Sequence, residues 1–326
     1  MNRPHLLKKI QELFEYLVML LRLIFRAFIM HKILGYPLFV VIEPINVCNL
    51  SCPACSTPQK YITRKRKAMS FEEFKIIVDK IKKYVCSIEL FFCGEPLLNK
   101  DIFKMIDYAH RNKLRTTIST NGTLLHLYVK EIVNSGLDRL HISFHGPTKD
   151  SLEKFMVGAR FEDIVKGVSQ LVEEKRRAGK RRPIIELGMI VTRYNEDKID
   201  EFKSLAKKLG VKAVLKTLVL AENIYSTDDV KKTLHFVPTN PKWNKCIVEG
   251  ERFYIKKKRE KCDWWKSCVI LVDGRVCACC YDIDGRYCYG NIFESDFKSL
   301  WRSHIGKKMR SLIKNRGLPI CEKCPD

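Results

Sequence analysis

From Leu38 to Leu220 the chain alternates between short apolar runs and longer amphipathic stretches. Phe39-Val40-Val41-Ile42 reads as a strand, and Ser70-Phe71-Glu72-Glu73 is a capping box that opens a helix reaching about Tyr84. Ile88 to Phe92 is the next strand, and Asp101 is placed to cap a helix running to about Asn112. Arg115 to Ser119 predicts a third strand, followed by a helix from about Leu125 to Asn134 that stops near Gly136. Leu140 to Phe144 and Pro183 to Val191 predict strands, each followed by a helix, over about 161–178 and 196–209. Ala213 to Leu220 is a sixth strand. Strands that alternate with helices argue for a parallel sheet with crossover helices, and six such units fall short of a full eight-unit barrel.

The pattern differs at both ends. Leu13 to Met30 is dense in apolar residues but broken by Glu15, Arg22 and Arg26. Its longest uncharged run, Tyr16 to Leu21, is far short of the ~20 residues needed to span a bilayer. No apolar centre followed by a small-residue cleavage site marks a secretory signal. Arg22 and Arg26 share one helical face, and Lys8, Lys9, His31 and Lys32 add positive charge at the ends. We read residues 1–36 as an amphipathic helix lying on a membrane surface. A helix docked on the chain's own core or in a dimer would carry the same pattern. Residues 37–240 hold the strand–helix repeat, and residues 241–326 form a cysteine-rich tail.

Composition sharpens this picture. Lys and Arg number 60 against 37 Asp and Glu, a formal charge of +23, which suits an acidic partner such as anionic lipid, a phosphorylated substrate or nucleic acid. A solvated lysine-rich surface has the same composition. The run Thr63-Arg64-Lys65-Arg66-Lys67 is placed to meet phosphates or to be a solvated loop. No interleaved aromatic and basic motif of the kind that reads single strands is present, so nucleic acid is the weaker reading. Fourteen cysteines in a chain without a secretory signal read as metal ligands in a reducing cytoplasm, with the chain peripheral on the inner face of the membrane.

The chemistry concentrates at Cys48-Asn49-Leu50-Ser51-Cys52-Pro53-Ala54-Cys55, directly after the first strand. One loop with this spacing can wrap an iron–sulfur cube. Three thiolates leave one of four irons without a protein ligand, the mark of a site that binds and reacts. Zinc knuckles use paired C-x-x-C units, and a disulfide framework suits a small secreted chain. The C-x-x-x-C-x-x-C pattern resembles the radical SAM enzymes, in which S-adenosylmethionine chelates the open iron. That resemblance implies a partial (β/α)6 TIM-like barrel, with the chemistry at the C-terminal ends of the strands.

Further segments fit the same family. Cys93-Gly94-Glu95-Pro96 follows the second strand and resembles its Gly-Gly-Glu-Pro segment, which receives the cofactor's amino group; Cys93 departs from the pattern. Ser119-Thr120-Asn121-Gly122 resembles the family's S/T-N-G segment, although Asn-Gly also simply makes a turn. Ser143-Phe144-His145-Gly146 resembles Ser-x-Asp-Gly, with His145 in place of the acid. The resemblance implies cofactor contacts from Gly94, Glu95, Pro96, Ser119, Asn121 and Ser143. It also implies a downstream cation for the cofactor's carboxylate, for which Arg160 and Lys154 are the candidates.

The tail carries Cys262, Cys268, Cys277, Cys279, Cys280, Cys288, Cys321 and Cys324. Val272-Asp273-Gly274-Arg275 has the Asp-Gly of a tight hairpin, and Gly290-Asn291-Ile292, Leu300-Trp301 and Cys321-Glu322-Lys323-Cys324 follow. Together these resemble the SPASM or twitch extension, a small Cys-rich C-terminal domain that holds auxiliary [4Fe–4S] clusters. The resemblance implies one auxiliary cluster, with Cys262, Cys279, Cys321 and Cys324 as ligands. Tetrahedral zinc would need the same four. Cys268, Cys277, Cys280 and Cys288 are packing residues or substitute ligands, and Cys86, Cys93 and Cys246 read as packing.

The family chemistry implied is reductive cleavage of S-adenosylmethionine to a 5′-deoxyadenosyl radical that removes hydrogen from the substrate. A reducing partner such as flavodoxin or ferredoxin is implied with it. Glu43 and Asp282, with Asp284, are candidate bases for an oxidative outcome. The basic surface and N-terminal helix point to a membrane lipid or lipid-linked sugar as substrate. A peptide- or protein-modifying enzyme is a second reading, and a non-catalytic iron–sulfur electron carrier or regulatory binder is a third. A carrier has no need of an open iron, which favours the enzyme.

Overall fold

The computed structural model describes residues 25, 28–58, 61–219, 233–249, 252–255, 260–322 and 324. Most of the expected N-terminal helix lies outside them. Among the described residues no helix is long and apolar enough to cross a membrane.

Six parallel strands carry the barrel: β1 (Phe39–Ile42), β2 (Ser87–Glu89), β3 (Arg115–Thr120), β4 (Arg139–Ser143), β5 (Ile184–Val191) and β6 (Lys212–Thr217), each paired with the next. The helices between them are α1 (Phe71–Ile81), α2 (Ile102–Arg111), α3 (Val129–Asn134), α4 (Lys149–Phe155), α5 (Phe161–Arg177) and α6 (Ile199–Lys208). The strand–helix alternation is therefore a (β/α)6 partial barrel, as expected. Side-chain alternation divides each strand between two faces. Ile88, Ile118, Leu140 and Ile142 are fully buried under the helices. Their neighbours Glu89, Ser119, His141 and Ser143 take the other face, toward the barrel lumen.

Local signals account for the element ends. In α1 the Ser70 hydroxyl accepts from the Glu73 N–H at 3.2 Å, and the Glu73 carboxylate accepts from the Ser70 N–H at 2.8 Å. The helix then buries Phe74, Ile77, Val78 and Ile81 along one stripe. Asp101 stands at the start of α2 but makes no side-chain cap; it pairs with Lys104 at 2.8 Å. The single helix expected over 125–134 is broken into a 3₁₀ turn, Leu125–Leu127, and α3. Helix α4 is not among the elements that the apolar pattern predicts; the Thr148 hydroxyl caps it by accepting from the Ser151 N–H.

The tail joins three of its described strands to the barrel sheet. Its strand β9 (Ser267–Ile270) lies parallel to β1, pairing Phe39 with Ser267 through Ile42 with Ile270. Strands β10 (Arg275–Cys277) and β11 (Cys288–Asn291) continue antiparallel outward. The order β11-β10-β9-β1-β2-β3-β4-β5-β6 makes one nine-stranded sheet, and β7 (Cys246–Glu249) with β8 (Arg252–Ile255) forms a separate hairpin. Helices α7 (Phe297–Arg302), α8 (His304–Lys314) and α9 (Pro319–Glu322) complete the tail. It is tied down at several points: Lys80 of α1 donates to the Ile292 and Ser295 carbonyls at 2.6 and 3.1 Å, and the Trp301 indole donates to the Gly35 carbonyl at 2.8 Å.

Candidate functional site

A cavity of about 550 Å³ opens at the C-terminal ends of the strands. Cys48, Cys52 and Cys55 all line it, on the loop that leaves β1. The loop is braced from behind: the Ser51 N–H donates to the Val157 carbonyl at 2.9 Å, and the Asn121 amide donates to Asn49 Oδ1 at 2.9 Å and to Cys48 Sγ at 3.7 Å. Burial pushes all three thiols up, Cys52 to about 12. A crowd of buried thiols is costly to ionise alone and well suited to a shared cation, so these residues fit the open-iron cluster.

Gly94 shows why its position tolerates no side chain. Its φ is +85°, and a Cβ there would stand 2.5 Å from the Ile45 carbonyl oxygen and 2.7 Å from that of Val47. The backbone after β2 thus presses against the backbone entering the cysteine loop, and the Glu95 N–H donates to the Val47 carbonyl at 2.9 Å. Glu95 lines the cavity but spends its carboxylate on the Leu97 N–H (3.0 Å), the Thr120 hydroxyl (2.7 Å) and the Asn121 N–H (2.7 Å). It braces the ends of β2 and β3 against each other, a role the family resemblance did not imply. Pro96 is buried at the start of a 3₁₀ turn and does not line the cavity.

Ser119, Asn121 and Ser143 line the same cavity. So does His145, whose ring is fixed on two sides. The Ile190 N–H donates to Nδ1 at 3.1 Å, and Phe155 packs edge-on at 5.3 Å. Burial drives its pKa down to about 3, so the ring is neutral with its proton on Nε2. Arg160 and Lys154 do not reach the cavity. The Arg160 side chain is 75% exposed and turns to Asp163, and Lys154 sits 3.9 Å over the Tyr194 ring. Arg160 stands just before α5 with its side chain turned outward along the helix surface, a direction that proximity in sequence to β4 does not reveal.

All three candidate bases have other work. Glu43 is fully buried, with its two oxygens held by Arg64 at 2.7 and 2.8 Å and by the Val272 N–H at 2.9 Å. Asp282 is 2% exposed and accepts from the Arg286 and Tyr287 N–H groups, each at 2.7 Å; it does not line the cavity. Asp284 accepts from the Thr63 N–H at 2.8 Å. Arg64 is correspondingly a buried strap between β1 and the tail, not a phosphate ligand. Besides Glu95, the carboxyl that lines the cavity is Glu89, on the lumen face of β2. Burial raises its pKa against the pull of Lys216 and Arg139, and among the described residues it makes no hydrogen bond. A lone acid inside the apolar run Ile88 to Phe92 was the signal that would have found it.

A second cavity, of about 180 Å³, is lined by Cys262, Cys279, Cys321 and Cys324 together. Cys262 arrives from the turn before β9, Cys279 from the turn after β10, Cys321 from α9 and Cys324 from the residues just after it. The Arg316 guanidinium clamps the last pair by donating to the Cys321 and Cys324 carbonyls at 3.3 and 2.9 Å. Four thiols converging on one cavity fit a closed cluster site. The other tail cysteines divide: Cys268 is buried in the core, Cys277 and Cys288 are joined as a disulfide, and Cys280 lines the cavity. Trp264, Cys280 and Tyr281 line both cavities, so the two share a wall.

Comparison with known proteins agrees with this geometry. Residues 42–206 match the radical SAM superfamily, and residues 262–325 match SPASM, an iron–sulfur cluster-binding domain. The chain is 25% identical to a tungsten-containing aldehyde ferredoxin oxidoreductase cofactor-modifying protein of Pyrococcus furiosus, covering 88% of this chain and 86% of the relative. It is also 25% identical to an Fe-coproporphyrin III synthase of Methanosarcina barkeri, over 82% and 74% of the two chains. The fold is similar to that of SuiB from Streptococcus suis bound to S-adenosylmethionine, with TM-score 0.61 and 18% identity over 89% of this chain and 72% of that one. The protein belongs to the radical SAM superfamily of enzymes, with a SPASM-type iron–sulfur domain, and its cofactors are S-adenosylmethionine, a [4Fe–4S] cluster and an auxiliary cluster.

Proposed function

We propose that this enzyme oxidises a C–H position of a membrane lipid or lipid-linked sugar, and that the substrate sits between the two cavities. The shared wall of Trp264, Cys280 and Tyr281 is the observation that carries this reading. When bound at Cys48, Cys52 and Cys55, the cluster and S-adenosylmethionine supply the 5′-deoxyadenosyl radical that removes hydrogen. The chain's own residues do the rest. Asn121 and Gly94 hold the cysteine loop, while Ser119, Ser143 and the Nε2–H of neutral His145 offer hydrogen bonds to the cofactor. Glu89 is the residue placed to take a hydrogen bond or proton from a hydroxyl or amine on the substrate.

Phe91, Phe92, Phe155, Ile190 and Trp264 give the cavity apolar walls, which suit a substrate with an apolar body and few polar handles. The names of the two relatives above describe work on a cofactor and on an Fe-coproporphyrin. The +23 charge favours an anionic, membrane-borne form. A flavodoxin or ferredoxin would deliver the electrons.

The test is anaerobic. The reduced enzyme is incubated with S-adenosylmethionine and a polyprenyl-phosphate sugar fraction, and in parallel with a peptide library. Deoxyadenosine formed in proportion to lipid consumed supports the reading; coupling to peptide alone would replace it with a peptide-modifying enzyme. In a coupled assay, Glu89→Gln is expected to keep uncoupled deoxyadenosine formation and lose product.

A further inference from the structure

At the opposite end of the barrel from the cysteine loop lies a groove of about 370 Å³, beside the first residues of β5 and β6. Lys175, Arg176, Lys180 and Lys212 line it, and among the described residues no acidic one does. Its floor is apolar, with Ile184 left 39% exposed beside Val172 and Val211.

The chain brings these cations together by the way α5 ends. Gly179, at φ +62°, reverses the backbone, so that its N–H reaches the Arg176 carbonyl at 3.1 Å and the Lys180 N–H reaches that of Lys175 at 3.1 Å. Lys180 is thereby folded back beside Lys175. Helix α6 ends in the same way, with the Gly210 and Val211 N–H groups bonded to the Lys207 and Ala206 carbonyls, each at 3.0 Å. That second turn delivers Val211 and Lys212 to the groove.

A basic last turn is common because cations favour a helix C-terminus. That accounts for Lys175 and Arg176 but not for Lys180 and Lys212, which lie beyond helix ends, nor for the exposed Ile184 between them. Among the described residues two of the four cations are paired: Arg176 with Glu173 at 3.8 Å, and Lys212 with Glu186 at 3.1 Å. Among the described residues Lys175 and Lys180 have no ion-pair partner. Burial holds Lys175 below the usual lysine range, which is the cost of a cation set over apolar floor without a counter-charge.

We propose that this groove binds a phosphate ester with an apolar substituent, its oxygens held between Lys175, Arg176 and Lys180 and its substituent lying on Ile184 and Val211. The site is independent of the radical reaction and faces away from it. The ester is a lipid headgroup or a soluble organic phosphate, two sources that share this chemistry.

The full-length, cluster-loaded protein is titrated calorimetrically with n-hexyl phosphate and with inorganic phosphate. Hexyl phosphate is expected to bind at least about tenfold more tightly. The double variant Lys175→Ala, Lys180→Ala is expected to weaken it by about tenfold or more, while Lys203→Ala with Lys207→Ala on α6 leaves it unchanged. Uncoupled deoxyadenosine formation is expected to be the same in all three proteins. Phosphatidylglycerol vesicles form a second arm. Vesicle binding lost in the Lys175, Lys180 variant assigns the site to a lipid headgroup; vesicle binding unchanged, with hexyl phosphate still lost, assigns it to a soluble ester. Equal affinity for the two phosphates, no effect of the Lys175, Lys180 variant, or an equal loss in the Lys203, Lys207 control would overturn the proposal.

Discussion

Arg64 closes its guanidinium on the carboxylate of Glu43 through two parallel hydrogen bonds of 2.7 and 2.8 Å, with 5% and 0% of the two side chains exposed. The same arginine donates from Nε to the Ile283 carbonyl at 2.5 Å. One side chain therefore joins the strand that feeds the cysteine loop to the cysteine-rich tail. Removing one partner leaves a buried charge without its counterpart, a loss of about 3–5 kcal/mol. Arg64→Ala and Glu43→Gln are both expected to lower the urea midpoint sharply. If Glu43→Gln instead kept its midpoint and lost substrate turnover, Glu43 would be a base after all.

Replacing Cys48, Cys52 and Cys55 by Ala is expected to abolish deoxyadenosine formation and leave about half the iron, since one of two four-iron clusters remains. Replacing Cys262, Cys279, Cys321 and Cys324 is expected to remove the other half while uncoupled deoxyadenosine formation persists. Cys280→Ala should leave the iron count unchanged. Iron measured against protein, with the electron paramagnetic resonance signal of each cluster, checks all three. One zinc per chain in the tail, with iron only in the barrel, would correct the assignment of the second site.

Gly94→Ala places a methyl group against the Ile45 and Val47 carbonyl oxygens at a positive φ. The strain alone costs about 1–3 kcal/mol, and relief requires the cysteine loop to move. We expect weaker binding of S-adenosylmethionine together with a lower urea midpoint. Normal binding with only a lower midpoint would separate Gly94 from the cofactor.

His141 and His145 are held neutral by burial, at about 4 and about 3. In the unfolded chain both titrate near 6.5. Below that value the unfolded state takes up protons that the folded state refuses, so each histidine withdraws stability as the pH falls toward its folded pKa. The slope is at most about 1.4 kcal/mol per pH unit for each. The buried carboxyls Glu89, Glu95 and Asp282 have raised pKa values and act in the opposite sense, so the wild-type curve is a difference. His145→Gln isolates one contribution: its urea midpoint is expected to fall less than that of the wild type between pH 7.5 and 5. Parallel curves would mean that His145 is not held neutral.

Much of the barrel was legible because its signals are local. The Ser70 capping box and the apolar stripe of α1 need only a few consecutive residues, and the cysteine triplet is dictated by one loop around one cluster. The four tail cysteines, which one cavity now gathers, were picked out by family spacing. The rest depends on contacts made far along the chain. Glu43 reads as a free acid until Arg64, and then the Val272 N–H, are brought to it. Arg160 follows β4 in sequence at the expected distance, yet its helix points it into solvent. Glu89 becomes visible only once β2 is known to turn that residue inward. The split of the helix over 125–134 lies in backbone geometry that apolar periodicity does not encode.

The pairing of Ser267–Ile270 with Phe39–Ile42 has a practical consequence for anyone cutting or recombining this protein. The SPASM segment looks like a cassette in sequence but supplies the flanking neighbour of the strand that presents the cysteine loop. A chain ended before residue 262 would expose the amides and carbonyls of that strand as an open edge, an invitation to aggregate. Chimaeras that exchange this segment between relatives must keep the strand register, or they will lose the first cluster along with the second.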